Sequence, residues 1–287
     1  MTITPDFSHC DAFVARFEEV VEHPVRGTGP YVTGVDLGTA CIVMAVLDKD
    51  RQPVAGAYQY ADVVKDGMVV DYIGAIRIVR AMKEQLEEAL GEELLYAAAA
   101  IPPGTDELDG GAVKHVVEGA GFEVTNLSDE STAANQLLGL QNGAVVDIGG
   151  GTTGISIFKD GEVVLTDDEA TGGTHVSLVI AGAYHEKFAE AELYKRDVKN
   201  HRELFPVVRP VMEKMGTIIS DVLDNYHTET GNTVDALVLV GGTSCFTGIE
   251  TELERLTGVP TYKPKNPMFV TPLGIALSCV PEEEQED

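Results

Sequence analysis

Two short segments of this 287-residue chain place the same residue types in the same order. Val35-Asp36-Leu37-Gly38-Thr39 and Val146-Asp147-Ile148-Gly149-Gly150-Gly151-Thr152-Thr153 each end an apolar run in an aspartate, pass through glycine to a hydroxyl, and lead into a second apolar run. A strand–glycine–hydroxyl–strand turn exposes consecutive backbone N–H groups, and glycine lets them point at one anion with no Cβ in the way. Thr39, Thr152 and Thr153 add hydroxyl donors. The aspartates cannot bind a phosphate themselves, because like charges repel. They can hold Mg²⁺ or its waters, and the metal then bridges to the phosphates. Two such loops facing each other make a site for a polyphosphate and its cation. Gly241-Gly242-Thr243, after the apolar run 236–240, is a third turn of this kind. One such turn alone is an ordinary hairpin; recurrence in the same strand context argues for a ligand. No GxxxxGK[ST] loop occurs, and no GxGxxG follows the first strand.

The elements that must carry these turns alternate in type. Residues 31–37 and 41–47 read as a hairpin around Gly38-Thr39, and 144–148 with 155–158 as a second one. Ala75, Val79, Met82, Leu86 and Leu90 recur at helical spacing, as do Val207, Val211, Met215, Ile218, Val222 and Tyr226. Runs 96–101 and 236–240 read as buried strands, the first broken by Pro102-Pro103, with a helix near 111–120. Residues 1–30 read as a helical extension with Phe13, Phe17, Val20 and Val21 on one face, closed by Pro24, Gly27 and Gly29. Residues 281–287 read as an acidic disordered tail. The repeat of the aspartate turns implies two related halves, lobe I over 31–140 and lobe II over 141–280.

The formal net charge is −27, so the surface repels nucleic acid and anionic membranes. Cys10, Cys41, Cys245 and Cys279 show no CxxC spacing, and no apolar stretch reaches a membrane span. The expected address is the cytoplasm. His175 beside Gly172-Gly173 reads as a packed or surface histidine, and Ser244-Cys245 lacks the G-x-S-x-G context of a nucleophile.

The segments VDLGTA (35–40), LSDESTAAN (127–135), VVDIGGGTTGISIF (145–158), TGGTH (171–175), LVLVGGTS (237–244) and TPLGIAL (271–277) together resemble the actin and heat-shock chaperone ATPase superfamily. IPPGTD (101–106), EATGGTHVSL (169–178) and AELYKR (191–196) are similar, more narrowly, to a chaperone-like family of ethanolamine utilization, encoded with bacterial microcompartments. The resemblance implies an α/β fold of two ribonuclease H-like lobes with reduced upper subdomains, since the stretches 47–71 and 196–207 are short for this superfamily. It implies ATP or ADP with Mg²⁺ as ligand, Asp36 and Asp147 at the metal. Asp36, Gly38 and Thr39 match the first phosphate loop; Asp147, Gly149, Gly150, Gly151 and Thr152 match the second. Glu130 matches the acid that orients the attacking water, and with Asp147 forms the implied catalytic pair. A helix N-terminal acid is the plainer reading of Glu130. Gly241, Gly242 and Thr243 match the turn against adenosine. Glu192 and Lys195 match the helix contacting ribose and base, with a solvated helical pair as the plainer reading. Gly274 and Ala276 match small residues of an interlobe crossing.

The implied function is a slow ATPase acting, as chaperone or reactivating factor, on ethanolamine-degradation enzymes or microcompartment shell proteins. An oligomer and an association with the microcompartment are compatible with it. A non-hydrolysing scaffold is the alternative, and a small-molecule kinase the remote one, because the insertions that would build a second-substrate pocket are missing.

Overall fold

The protein is described by a computed structural model that covers residues 4–105 and 107–281. Most of the expected acidic tail, from residue 282, and residues 1–3 of the N-terminal extension lie outside the described residues. The chain divides into two compact units: Asp6–Gly139 together with the chain from Phe269 onward, and Leu140–Met268.

In the first unit α1 (Ser8–Glu22) buries Phe13, Phe17 and Val20, the residues its spacing put on one face. Phe17 meets Phe269 edge-on at 5.2 Å. Strands β1 (Val32–Leu37), β2 (Cys41–Leu47) and β3 (Pro53–Tyr60) follow as an antiparallel meander. A small hairpin of β4 (Val64–Lys65) and β5 (Met68–Val69) leads to α2 (Tyr72–Leu90). Asp71 caps α2 by accepting from the Gly74 N–H at 2.9 Å. The predicted face of α2 is buried from Ala75 to Leu90. Then come β6 (Tyr96–Ile101), α3 (Glu107–Gly119), β7 (Glu123–Asp129) and α4 (Glu130–Leu138). Strands β6 and β7 join parallel to β1, giving the sheet order β3-β2-β1-β6-β7. Parallel neighbours need a crossover, and α2 and α3 supply the helices for it.

The second unit repeats the plan. Strands β8 (Gly143–Ile148), β9 (Thr153–Lys159) and β10 (Glu162–Glu169) form the meander. Helices α5 (Gly173–Tyr184), α6 (Phe188–Arg196) and α7 (His201–Thr230) precede β11 (Leu237–Val240), α8 (Ile249–Thr257) and β12 (Thr261–Tyr262). The order is β10-β9-β8-β11-β12, with β11 and β12 parallel to β8. Both sheets therefore have three antiparallel strands followed by two parallel ones, the ribonuclease H-like arrangement of actin-like lobes. Each unit has its own apolar core: Val35, Met44, Val79 and Leu86 in the first, Val146, Ile155, Met215 and Leu239 in the second. Helix α7 starts at His201, six residues before the periodic run, and contains Pro206 and Pro210.

The last helix, α9 (Val270–Ser278), returns to the first unit, where sequence reading had assigned residues up to 280 to lobe II. It packs backbone to backbone. A Cβ on Gly274 would overlap the Ala133 carbonyl of α4, and one on Gly34 of β1 would overlap the Ala276 nitrogen. The small size inferred for Gly274 is thus a packing requirement within this unit. Among the described residues no helix is long and apolar enough to cross a membrane.

Gly274→Ala is expected to lower the unfolding free energy by about 2–3 kcal/mol, seen as a fall in the urea midpoint. Gly182→Ala in α5, where an added Cβ meets nothing within 4 Å, should leave stability unchanged or raise it by under about 1 kcal/mol.

Candidate functional site

In each unit the expected residues collect at the C-terminal ends of the parallel strands, the edge where open α/β sheets take their ligands. In the first unit β1 carries Asp36 near its end, β6 runs into Pro102-Pro103-Gly104, and β7 ends at Asp129, next to Glu130. Asp36, Gly38, Thr39 and Glu130 thus share one sheet edge. The Thr39 hydroxyl accepts from the Gly67 N–H at 3.4 Å, so the tip of the β4–β5 hairpin is tied to the turn. The cap of α4 is Asp129, whose carboxylate accepts from the Thr132 N–H at 2.8 Å. Glu130 is the first helical residue after that cap.

In the second unit three loops converge. The β8–β9 turn is closed by the Gly149 N–H donating to the Thr152 carbonyl at 3.0 Å. The Gly149 carbonyl then accepts twice, from the Gly173 N–H at 3.0 Å and the Thr243 hydroxyl at 2.7 Å. The Gly150 carbonyl accepts from the Thr174 N–H at 2.7 Å. One turn, the N-terminus of α5 and the Gly241-Gly242-Thr243 segment are thereby a single unit. Asp147 is 5% exposed, and Gly241 adopts φ 87° beside it. A Cβ at Gly241 would overlap Asp147 Oδ1 and lie 2.6 Å from the Ile148 carbonyl oxygen, so only glycine fits.

Not every expected donor is turned outward. The Thr153 hydroxyl, fully buried, donates to the Thr171 carbonyl at 2.6 Å and pins the end of β10 to β9. With Thr243 on the Gly149 carbonyl, both hydroxyls tie loops to one another. His175 receives the Gly172 N–H on Nδ1 at 3.4 Å, and the Ser244 hydroxyl donates to the Val240 carbonyl at 2.6 Å.

Glu192 and Lys195 pair with each other at 2.8 Å, each side chain 13% exposed. Lys195 also donates to the Gly173 carbonyl at 3.0 Å, and Glu192 receives Arg196 at 2.9 Å and the Ser177 hydroxyl. The pair is therefore a clamp between α6 and the first turn of α5, not a solvated couple. Burial alone would raise the Glu192 carboxyl, but Lys195, Ser177 and Arg196 outweigh it and hold it below its ordinary value. His201 braces the clamp: its ring stacks on Phe246 at 4.1 Å, Nδ1 accepts from the Thr247 N–H at 3.0 Å, and Nε2 meets the Lys195 carbonyl at 2.8 Å. Burial holds its pKa below the ordinary value.

The sequence reading missed Asp168, at the end of β10. Burial pushes its carboxyl up to about 6; the hydrogen bond from Thr152 opposes the rise and the nearby Asp147 adds to it. In sequence it is the middle of an acidic triplet, Asp167-Asp168-Glu169, indistinguishable from a solvated strand end. Among the described residues no group of three or more His, Cys, Asp or Glu side chains is arranged to hold a metal. A magnesium site built from one or two carboxylates and substrate phosphates needs no such group.

The chain is similar to several known proteins. The sequence matches the family described as type IV pilus assembly protein PilM over residues 124–268, and the MreB/Mbl protein family over 55–191. It is 44% identical over 256 residues to the ethanolamine utilization protein EutJ of Salmonella typhimurium, covering 89% of this chain and 88% of that one. The crystal structure of EutJ from Carboxydothermus hydrogenoformans is similar at TM-score 0.85 and 49% identity, over 93% of this chain and 97% of the other. The structure of MreB5 of Spiroplasma citri bound to AMPPNP shares the fold at TM-score 0.70 and 17% identity, over 91% and 98%.

Glu192→Gln should cost about 3 kcal/mol at neutral pH, because it leaves Lys195 buried without its counter-charge. The Glu192 carboxyl stands below its ordinary 4.5 in the folded protein. Its contribution is complete above that value and is lost as pH falls through the lower folded-state value. Urea unfolding as a function of pH should show the gap between wild type and variant closing below pH 4.5.

Proposed function

The chain belongs to the ethanolamine utilization protein EutJ family, within the actin-like proteins, and from that membership we propose that it binds ATP with Mg²⁺ and acts as a chaperone-like factor. Its targets would be the enzymes of ethanolamine degradation or the shell of a microcompartment in the cytoplasm. The observation that carries the reading is the β8–β9 turn, where Gly149, Gly150 and Gly151 follow the buried Asp147 and two neighbouring loops hold the turn rigid. A rigid turn rich in glycine offers backbone N–H groups to an anion without reorganisation on binding. The nucleotide-bound relative of the same fold supports the choice of ligand.

The residues suit magnesium. Asp147, Asp168 and Thr152 are oxygen donors, with neither imidazole nor thiol among them, and hard oxygen sets favour Mg²⁺. When bound, the cation supplies charge neutralisation for the phosphate oxygens. Asp147 would hold it or its waters, and Asp36 is the equivalent aspartate of the first unit's turn. Gly38, Thr39 and the backbone N–H groups of Gly150 and Gly151 would bind phosphate oxygens, with Gly149 shaping the turn. Glu130, one residue beyond its helix cap, orients the attacking water and accepts its proton. Gly241 and Gly242 give adenosine a surface with no side chains. Glu192 and Lys195 act on the ribose and base side by fixing α6 against Gly173. Catalysis of phosphoryl transfer is mostly such positioning.

A second reading is a nucleotide-binding assembly factor that does not turn over. The match to a pilus assembly family over residues 124–268, the region that holds the converging loops, favours it. Turnover separates the two readings.

Titration calorimetry is expected to show Mg-ATP binding to the wild type, with Asp147→Asn and Asp36→Asn each weakening it by about tenfold or more. Phosphate release should exceed that of Asp147→Asn. Glu130→Gln should retain binding while turnover falls by about 10²-fold. A wild type that takes up no nucleotide ends the proposal; binding without phosphate release selects the assembly factor.

A further inference from the structure

Strands β8, β9 and β10 align one row of residues whose ends are both aspartate. Asp147 of β8 pairs with Gly154 of β9, and Gly154 pairs on its other side with Asp168 of β10. Residues directly opposite one another project from the same face of a sheet. The two aspartates are therefore on one face, roughly 10 Å apart between Cα atoms, as two strand spacings require. Gly154 puts no side chain between them. The end of β10 is fixed in this position by the Thr153 hydroxyl on the Thr171 carbonyl. Asp168 Oδ1 is enclosed and has no hydrogen-bond partner among the described residues, while the Thr152 hydroxyl bonds to the same carboxylate.

That bond fixes the chemistry of Thr152. A threonine hydroxyl has one proton to donate and two lone pairs. A carboxylate only accepts, so the proton lies toward Asp168, and the Thr152 oxygen is left as an acceptor. We propose that Asp168 is a positioning residue of the nucleotide site, turning Thr152 from a phosphate donor into an oxygen ligand for the hydrated magnesium ion that accompanies the phosphates. The inference rests on the nucleotide-binding reading and deepens it. It gives the phosphate turn a division of labour: backbone N–H groups face the phosphate, and side-chain oxygens face the cation. It also gives a reason for an aspartate at the exposed end of a sheet-edge strand.

The test compares ATP affinity by calorimetry in Mg²⁺ and in EDTA. The ratio of the two affinities is a readout that a merely structural role would not move. Asp168→Asn keeps the shape but presents an amide donor to Thr152, so the Thr152 proton is released. The magnesium-to-EDTA affinity ratio is expected to fall by about tenfold or more, with affinity in EDTA within about threefold of wild type. Thr152→Val should lower the ratio as much, Thr152→Ser should preserve it, and the double variant should lose no more than either single one, since both act through one bond. An unchanged ratio in Asp168→Asn, or losses that multiply in the double variant, overturns the proposal. Should Asp168→Asn not fold, an unchanged ratio in Thr152→Val overturns it equally. A wild type that binds nucleotide in neither buffer overturns the proposed function as well, which separates that failure from failure of the Asp168 role alone.

Discussion

A single carbonyl holds the second unit's loops together. Gly149 accepts one hydrogen bond from the backbone of α5 and one from Thr243, and its own N–H closes the turn it belongs to. Each bond is worth only about 1 kcal/mol net. Their joint effect is geometric, because three loops from distant parts of the sequence lose the freedom to move separately. The first turn of α5 is tied in again through Gly150 and Thr174, and from its other side by Lys195 on the Gly173 carbonyl. The helix N–H groups that would otherwise be available to an anion are used inside the protein. Among the described residues the turn spends only its Gly149 N–H, on the Thr152 carbonyl, which is why the turn and not the helix is the phosphate-binding element proposed.

The two units share a topology and differ in how they use it. In the first, the tightest packing is structural: α9 sits backbone to backbone on Gly34, and Gly274 on Ala133. In the second, the tightest packing surrounds chemistry, where Gly241 leaves space for the Asp147 carboxylate. A buried carboxylate is costly unless polar groups or a cation compensate it. The net charge of −27 adds a general attraction for a cation.

Much of this was legible in the sequence, and what was not has identifiable causes. The strands flanking Gly38 and Gly149, the helix from Ala75 to Leu90 and the duplicated plan follow from periodicity and turn chemistry. The early start of α7 did not, because the periodic run begins only at Val207, after Pro206; burial of His201 and Leu204 carries the helix back past it. The N-terminal helix read as an appendage, yet Phe17 is fully buried where Gly56 of β3 leaves room for its ring. Residue types located Asp147 and the three-glycine turn. They could not show where hydroxyl protons go, so Thr153 read as a ligand donor rather than a tie. Asp168 was invisible because its relation to Asp147 exists only in the register of three strands. The family resemblance pointed to Glu192 and Lys195, but the sequence could not show that both are enclosed.

The most direct test is a crystal structure with a non-hydrolysable ATP analogue and magnesium. The account predicts phosphate oxygens within hydrogen-bond distance of the Gly150 and Gly151 backbone N–H groups, with the cation or its waters on Asp147. A nucleotide bound elsewhere, with that turn facing only solvent, would contradict it.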